Sequence, residues 1–410
     1  MLSAIMPFSR STSFAGSRAG SAADAGGGIN PGPPRVAALL LVLALALGAP
    51  VHASEEPKGF LETIHHHKTL ASTIPDNGDV NPYAVVVAPV SVGLVEAGDV
   101  LIDNFNNISN LQGTGTTIVD YRPSTRQTKL FAQVPQNLAS CPGGVGLTTA
   151  MTMLKSGWVI VGSMPSTDGT TTTKGDGCLL VFDANGHHVA TWAGPTINGP
   201  WGNMATIDRG DSAVLFISMA GFGVPGPRVL DPATHYPVTV HEATVLRLEI
   251  SIPEGKPPVL ESQTVVGNGF SQRADLDNFL FGPTGLALGP DDTLYVTDGL
   301  DNEITAIEHA STRTESAGRG QTVTKDGLLG WPLAMVMLPS GHLVVCNGKN
   351  GQAVEVDPVA GKQIYAHWLD PNQAQSPPGN GDLFGLALTP DGKGIYYVED
   401  DVNALVFGSP

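Results

Sequence analysis

The stretch GPTGLALGPDDTLYVTDGLDNEITAIE (residues 282–308) decides the fold, because its parts fall in a fixed order. A short apolar run leads into a Pro/Asp turn, then a β-branched and aromatic run, an Asp/Gly turn and a third apolar run. That order describes an antiparallel meander, with turn formers separating segments of strand composition. The same plan recurs in WPLAMVMLPSGHLVVCNGKNGQAVEVD (residues 331–357) and LFGLALTPDGKGIYYVEDDVNALVF (residues 383–407). It also appears, with a longer first turn, in NPYAVVVAPVSVGLVEAGDVLIDNFNN (residues 81–107). Two weaker copies, TAMTMLKSGWVIVGS (residues 149–163) and WGNMATIDRGDSAVLFISM (residues 201–219), fill the interval.

Several copies continue into a fourth run, such as KLFAQVP (residues 129–135) and QIYAHWL (residues 363–369). Four antiparallel strands recurring about every 50 to 60 residues predict propeller blades. Aligning the copies places Ala84, Ala150, Gly202, Gly285, Ala334 and Gly385 in one column, as first strands converging on a narrow axis require. The expectation is an all-β, six-bladed propeller with four-stranded antiparallel blades. The last copy stops at its third strand, so TLASTIP (residues 69–75) is expected to complete it and close the ring.

Composition agrees with such a fold. Gly and Pro number 50 and 32, too many turn formers for a helical bundle, while 41% apolar content supplies a core. A net charge of −17 repels phosphate backbones and anionic lipid surfaces, which argues against nucleic acid and membrane partners.

At the N-terminus, VAALLLVLALALG (residues 36–48) follows Arg35 and precedes Val51-His52-Ala53. This pattern predicts a secretory signal peptide with a long n-region over residues 1–53, cut after Ala53. Residues 54–410 then form the propeller domain, periplasmic or secreted, with no membrane span after signal removal. In an oxidising compartment two of the three cysteines can pair. Cys141 and Cys178 both fall near one face of blade two and are the expected disulfide, while Cys346 lies inside a strand as a core residue.

The P-x-G-x-A start, the P-[DS]-G or P-D-D turn and the [YV]-V-x-[DN]-x-x-[DN] ending resemble NHL-repeat six-bladed propellers, most clearly over residues 282–407. Related rings include gluconolactonase/regucalcin-like hydrolases, strictosidine-synthase-like enzymes and streptogramin lyases. Such rings share a fold across many functions. The resemblance implies that ligands sit over the channel mouth on the top face, which carries the fourth-to-first connections and second-to-third turns.

Long second-to-third loops at residues 104–115, 163–177 and 219–243 would wall half of that mouth. The third holds His235, His241 and Glu242, residue types able to ligate a divalent cation or act as acid and base, as the likeness to streptogramin lyases implies. Arg273 is expected to face the same mouth. Tyr83, Trp201 and Phe384 share the column before the small residue, with Trp331 nearby, and read either as a rim stacking on a ligand or as a plug of the core. In the next column only Asn203 can ligate a hard cation, which departs from the lactonase-like set. Asn203 is either a pocket donor or a satisfied amide. The Asp and Asn column at the second-to-third turns (Asn104, Asp298, Asn347) is read as capping its own turns.

The leading expectation is an exported propeller that binds a small molecule, glycan or protein over the top-face mouth without chemistry and without a required cofactor. The alternative is a metal-assisted lyase or hydrolase using His235, His241 and Glu242, with Asn203 as a further candidate, and a divalent cation.

Overall fold

The computed structural model describes residues 59–410, and the expected leader lies outside them. Six antiparallel sheets follow one another along the chain, each running from the axis outward. Blade one consists of Val80–Val87, Val100–Asn106, Thr117–Arg122 and Gln127–Gln133. First strands of neighbouring blades pack side by side around the axis. Burial falls along each blade. The second strand of blade five, Leu343–Asn347, is buried throughout, whereas the outer strand Gln127–Gln133 mixes exposed and buried positions. Blades stack face to face, so an inner strand has apolar neighbours on both sides, and each fully buried Val or Leu contributes about 1.5–3 kcal/mol.

The small-residue column follows from how closely those first strands approach. A Cβ on Gly385 would lie 2.2 Å from Tyr83 O of blade one, and one on Gly285 would lie 2.3 Å from Leu333 O of blade five. Only a residue without a Cβ leaves room for the neighbouring carbonyl there.

Side chains from the second strands stitch the ring. Ser218 Oγ accepts the Gly202 N–H at 2.9 Å and donates to Pro283 O at 2.6 Å. Thr297 Oγ1 likewise accepts the Gly285 N–H at 2.6 Å and donates to Leu333 O at 3.1 Å. The next column does more than cap its own turns. Asn104 Nδ2 donates to Thr73 O at 3.0 Å, Asp298 Oδ2 accepts the Ser271 N–H at 2.9 Å, and Asn347 Oδ1 accepts the Gly330 N–H at 2.9 Å. These residues therefore pin the chain arriving from the previous blade, whose backbone groups would otherwise be buried without partners.

Blade six consists of Leu383–Leu388, Ile395–Glu399 and Ala404–Ser409, and His66–Ser72 supplies its fourth strand. The closing strand begins three residues before the expected TLASTIP. Its far end turns away where Thr73 N–H and Oγ1 both bind Asn403 O. Blade three departs from four strands. Its long hairpin, Thr239–Ser251 and Val259–Ala274, extends above the ring, and Leu280–Phe281 adds a fifth strand beside it. Cys141 and Cys178 form a disulfide with Cα atoms 5.3 Å apart, and Cys346 is a buried free thiol. Among the described residues, no helix is long and apolar enough to cross a membrane.

Candidate functional site

Five aromatic rings close the top of the channel. Tyr83 stacks on Phe384 at 4.2 Å and on Phe105 at 4.6 Å, while Trp201 meets Phe105 edge-on at 5.6 Å. The fifth ring, Phe279, lies 5.3 Å from Phe105 and comes from the connection at residues 275–279. All five are buried, and Tyr83, Trp201 and Phe384 pack among the other rings as a plug. Mutual edge and face contacts, together with exclusion of water, account for their position.

The connection carrying Phe279 is a strap across the mouth. Asp275 Oδ1 accepts the N–H groups of Asp277 and Asn278, both at 2.9 Å, and the Asp275 N–H donates to Phe279 O at 2.8 Å. Phe279 has φ +64°, a left-handed backbone that is rare for an aromatic residue, and its ring is the one inserted in the plug. On the far side Gln112 Nε2 of blade one donates to Asp277 O at 3.0 Å and to Leu276 O at 3.3 Å. The strap and the plug together cover the axis on the top face.

Below the plug, the first strands of the six blades, with Asn203 and Met204 just ahead of that of blade three, line a cavity of about 350 Å³, which opens at the opposite face, where first strands turn into second strands. None of its lining residues is charged, and Met151, Met204, Met335 and Met337 supply adaptable apolar surface. Asn203 reaches this cavity but is already satisfied. Its Oδ1 accepts the N–H groups of Leu286 (3.1 Å) and Met335 (3.3 Å), and its Nδ2 donates to Leu286 O (2.7 Å) and Met335 O (3.4 Å). It ties blade three to blades four and five. Thr149, also in the lining, keeps Oγ1 buried without a partner.

Arg273 and Trp331 lie away from the plug on the top face. The Arg273 guanidinium stands 5.2 Å from the Tyr236 ring and 5.8 Å from Phe281, and Trp331 also packs on Phe281 at 4.8 Å. Both remain half-buried.

His235, His241 and Glu242 have separate surroundings. His235 is exposed in the loop before Thr239, and Glu242 abuts Gly223. His241 Nδ1 lies 3.0 Å from Ser271 Oγ, whose hydrogen goes to Asp301 Oδ2 at 2.8 Å. A nucleophilic serine would give its proton to the imidazole, with the acid behind the imidazole. Here the buried serine stands between them. Among the described residues, the group of three or more His, Cys, Asp and Glu donors lying within 4.8 Å of one another is Asp370, Asp382 and Asp401. The three residues expected to share a cation are not among them.

One buried carboxyl faces the axis of blade one. Asp103 occupies the place held by Ser218 and Thr297 in blades three and four. Its Oδ1 accepts the Ala84 N–H at 2.8 Å, while Oδ2 is buried without a partner. Burial pushes Asp103 up to about 8, so it sits neutral at neutral pH like the hydroxyls it replaces.

No family model matches the chain, and no curated protein sequence does. Solved structures do. A gluconolactonase from Xanthomonas campestris is 15% identical, matched over 85% of this chain and 96% of that one with a TM-score of 0.48. Regucalcin from Agrobacterium tumefaciens, a calcium-binding protein, is 13% identical over 83% and 93%, with a TM-score of 0.47. A virginiamycin B lyase from Staphylococcus aureus is 12% identical over 84% and 99%, with a TM-score of 0.45. The likeness is one of fold.

No motif in the sequence marks Phe105 or Phe279. Phe279 follows the Asp275-to-Asn278 turn, a turn signature, but its ring position depends on a backbone sign that composition does not reveal.

Proposed function

We propose that this propeller is an exported, non-catalytic binding protein that takes a small, neutral, largely apolar molecule into its channel from the face opposite the aromatic plug. The observation that carries this reading is the uncharged, methionine-rich cavity of about 350 Å³ at that face. Small-molecule sites of this size are apolar clefts with few oriented polar groups, and the volume favours a small molecule over a glycan or protein segment. Export is supported by the leader pattern of residues 36–53 and by the Cys141–Cys178 disulfide. A mass spectrum of the mature protein beginning at Ser54 is the expected result.

Binding is tested by ligand-observed NMR and calorimetry with indole, benzyl alcohol and cyclohexanol as probes. Met337→Ala removes part of the apolar lining and is expected to weaken all three probes about tenfold, the loss of roughly 1.4 kcal/mol of apolar contact. Thr206→Trp, at the cavity mouth, is expected to block all three. If both variants bind the probes as the parent does, the channel is not the site.

A further inference from the structure

The top of the seam between blades five and six gathers oxygen donors without a balancing cation. Asp370 and Asp382 stand at the two ends of the connection between these blades, and Asp401 lies in the second-to-third turn of blade six. One carboxylate oxygen from each lies within 4.8 Å of the others. Asp370 and Asp382 are only 7% and 4% exposed, and the Oδ2 atom of each is buried with no hydrogen-bond partner. A buried carboxylate oxygen left without a donor is costly, and two beside each other compound that cost.

The remaining oxygens hold the walls in place. Asp370 Oδ1 accepts the Asn372 N–H at 2.9 Å, Asp382 Oδ1 accepts Gln375 Nε2 at 2.7 Å, and Asp401 Oδ2 accepts Asn372 Nδ2 at 2.9 Å. Gln375 Oε1 is a further buried oxygen without a partner. The ion pairs among the described residues include none of the three aspartates.

We propose that Asp370, Asp382 and Asp401 bind one calcium-type divalent cation, which clamps the connection between blades five and six to the turn of blade six. The spacing suits it. Calcium–oxygen distances of about 2.3–2.6 Å let two ligands of one ion stand up to about 5 Å apart. An all-oxygen donor set selects a hard cation over zinc or copper, and calcium tolerates irregular geometry better than magnesium does. The site lies away from the channel and is independent of the ligand reading above. It also sits in the blade that the N-terminal strand completes, where a clamp reinforces ring closure.

The test uses the whole mature chain, stripped with chelator and titrated with calcium chloride by calorimetry, with terbium luminescence as a second readout. One ion per chain and a rise of about 5 °C in thermal midpoint at saturating calcium are expected. Asp382→Asn should abolish binding and Asp401→Asn weaken it at least about tenfold, the loss of one charged ligand. Glu254→Gln, on an exposed turn, should leave binding unchanged. Should Asp382→Asn fail to fold, the exposed Asp401 supplies the decisive variant. The proposal is overturned if the stripped parent takes up no calcium at millimolar concentration, or if Asp401→Asn binds it as tightly as the parent.

Discussion

Replacing Asp103 by Asn gives the sharpest check on the physical account of the ring. The amide keeps an oxygen for the Ala84 N–H, which donates to Asp103 Oδ1 at 2.8 Å, but it cannot ionise. In the folded protein burial raises Asp103 from 3.8 to about 8. A carboxyl raised on folding contributes stability that is fully present below its unfolded value and is lost as pH climbs through the folded one. The parent is therefore expected to lose about 1.4 kcal/mol per pH unit through this group, or about 4 kcal/mol between pH 5 and pH 8. Asp103→Asn should show no such slope. Asp120 and Asp298, raised by burial to about 7 and about 6, titrate alike in both proteins and cancel in the difference. The assay is urea unfolding followed by tryptophan fluorescence at pH 5, 6, 7 and 8, with stabilities from linear extrapolation. Near pH 5 the two proteins should agree within about 1–2 kcal/mol, and the variant should lead increasingly above it. Parallel pH profiles would refute the claim that Asp103 is buried neutral.

Two further outcomes follow from the same structure. Opening the Cys141–Cys178 disulfide, by reduction or by paired Ser substitutions, releases a loop of 37 residues. It should cost about 4 kcal/mol by the chain-entropy relation, read as a lower urea midpoint; a change below about 1 kcal/mol would mean the loop is held by other contacts. Phe279→Ala removes one of the five plug rings and the anchor of the strap, at an expected cost of about 3–5 kcal/mol. Amide exchange should then accelerate at Leu276 and Asp277, whose carbonyls hold Gln112. Unchanged protection there would show that the strap does not depend on the ring.

The six-bladed ring was legible in residues 282–308 and their copies because each blade is built from local signals. Alternation, turn residues and a small residue at the axis all act over a few positions. Gly385 illustrates this, since the steric demand on it comes from Tyr83 O, a repeated neighbour in a repeated fold. The closing strand was legible for a related reason: a blade lacking its fourth strand leaves an unpaired edge that a distant segment must cover.

The site was not legible in the same way. Tyr83, Trp201 and Phe384 share one column, and sequence alone left them as either rim or plug, because burial depends on what lies above them. In the structure the left-handed turn at Phe279 and the reach of Gln112 across the ring lie over them. Asn203 reads as a lone polar residue in an apolar column, yet its partners Leu286 and Met335 are 83 and 132 residues away. Asp370, Asp382 and Asp401 look like ordinary turn formers until the connection and the turn fold onto one point. Local chemistry fixed which strands and turns this chain makes. Which polar atoms are satisfied, and which are left facing one another, depended on contacts between blades, because hydrogen bonding and desolvation are decided by neighbours far away in sequence.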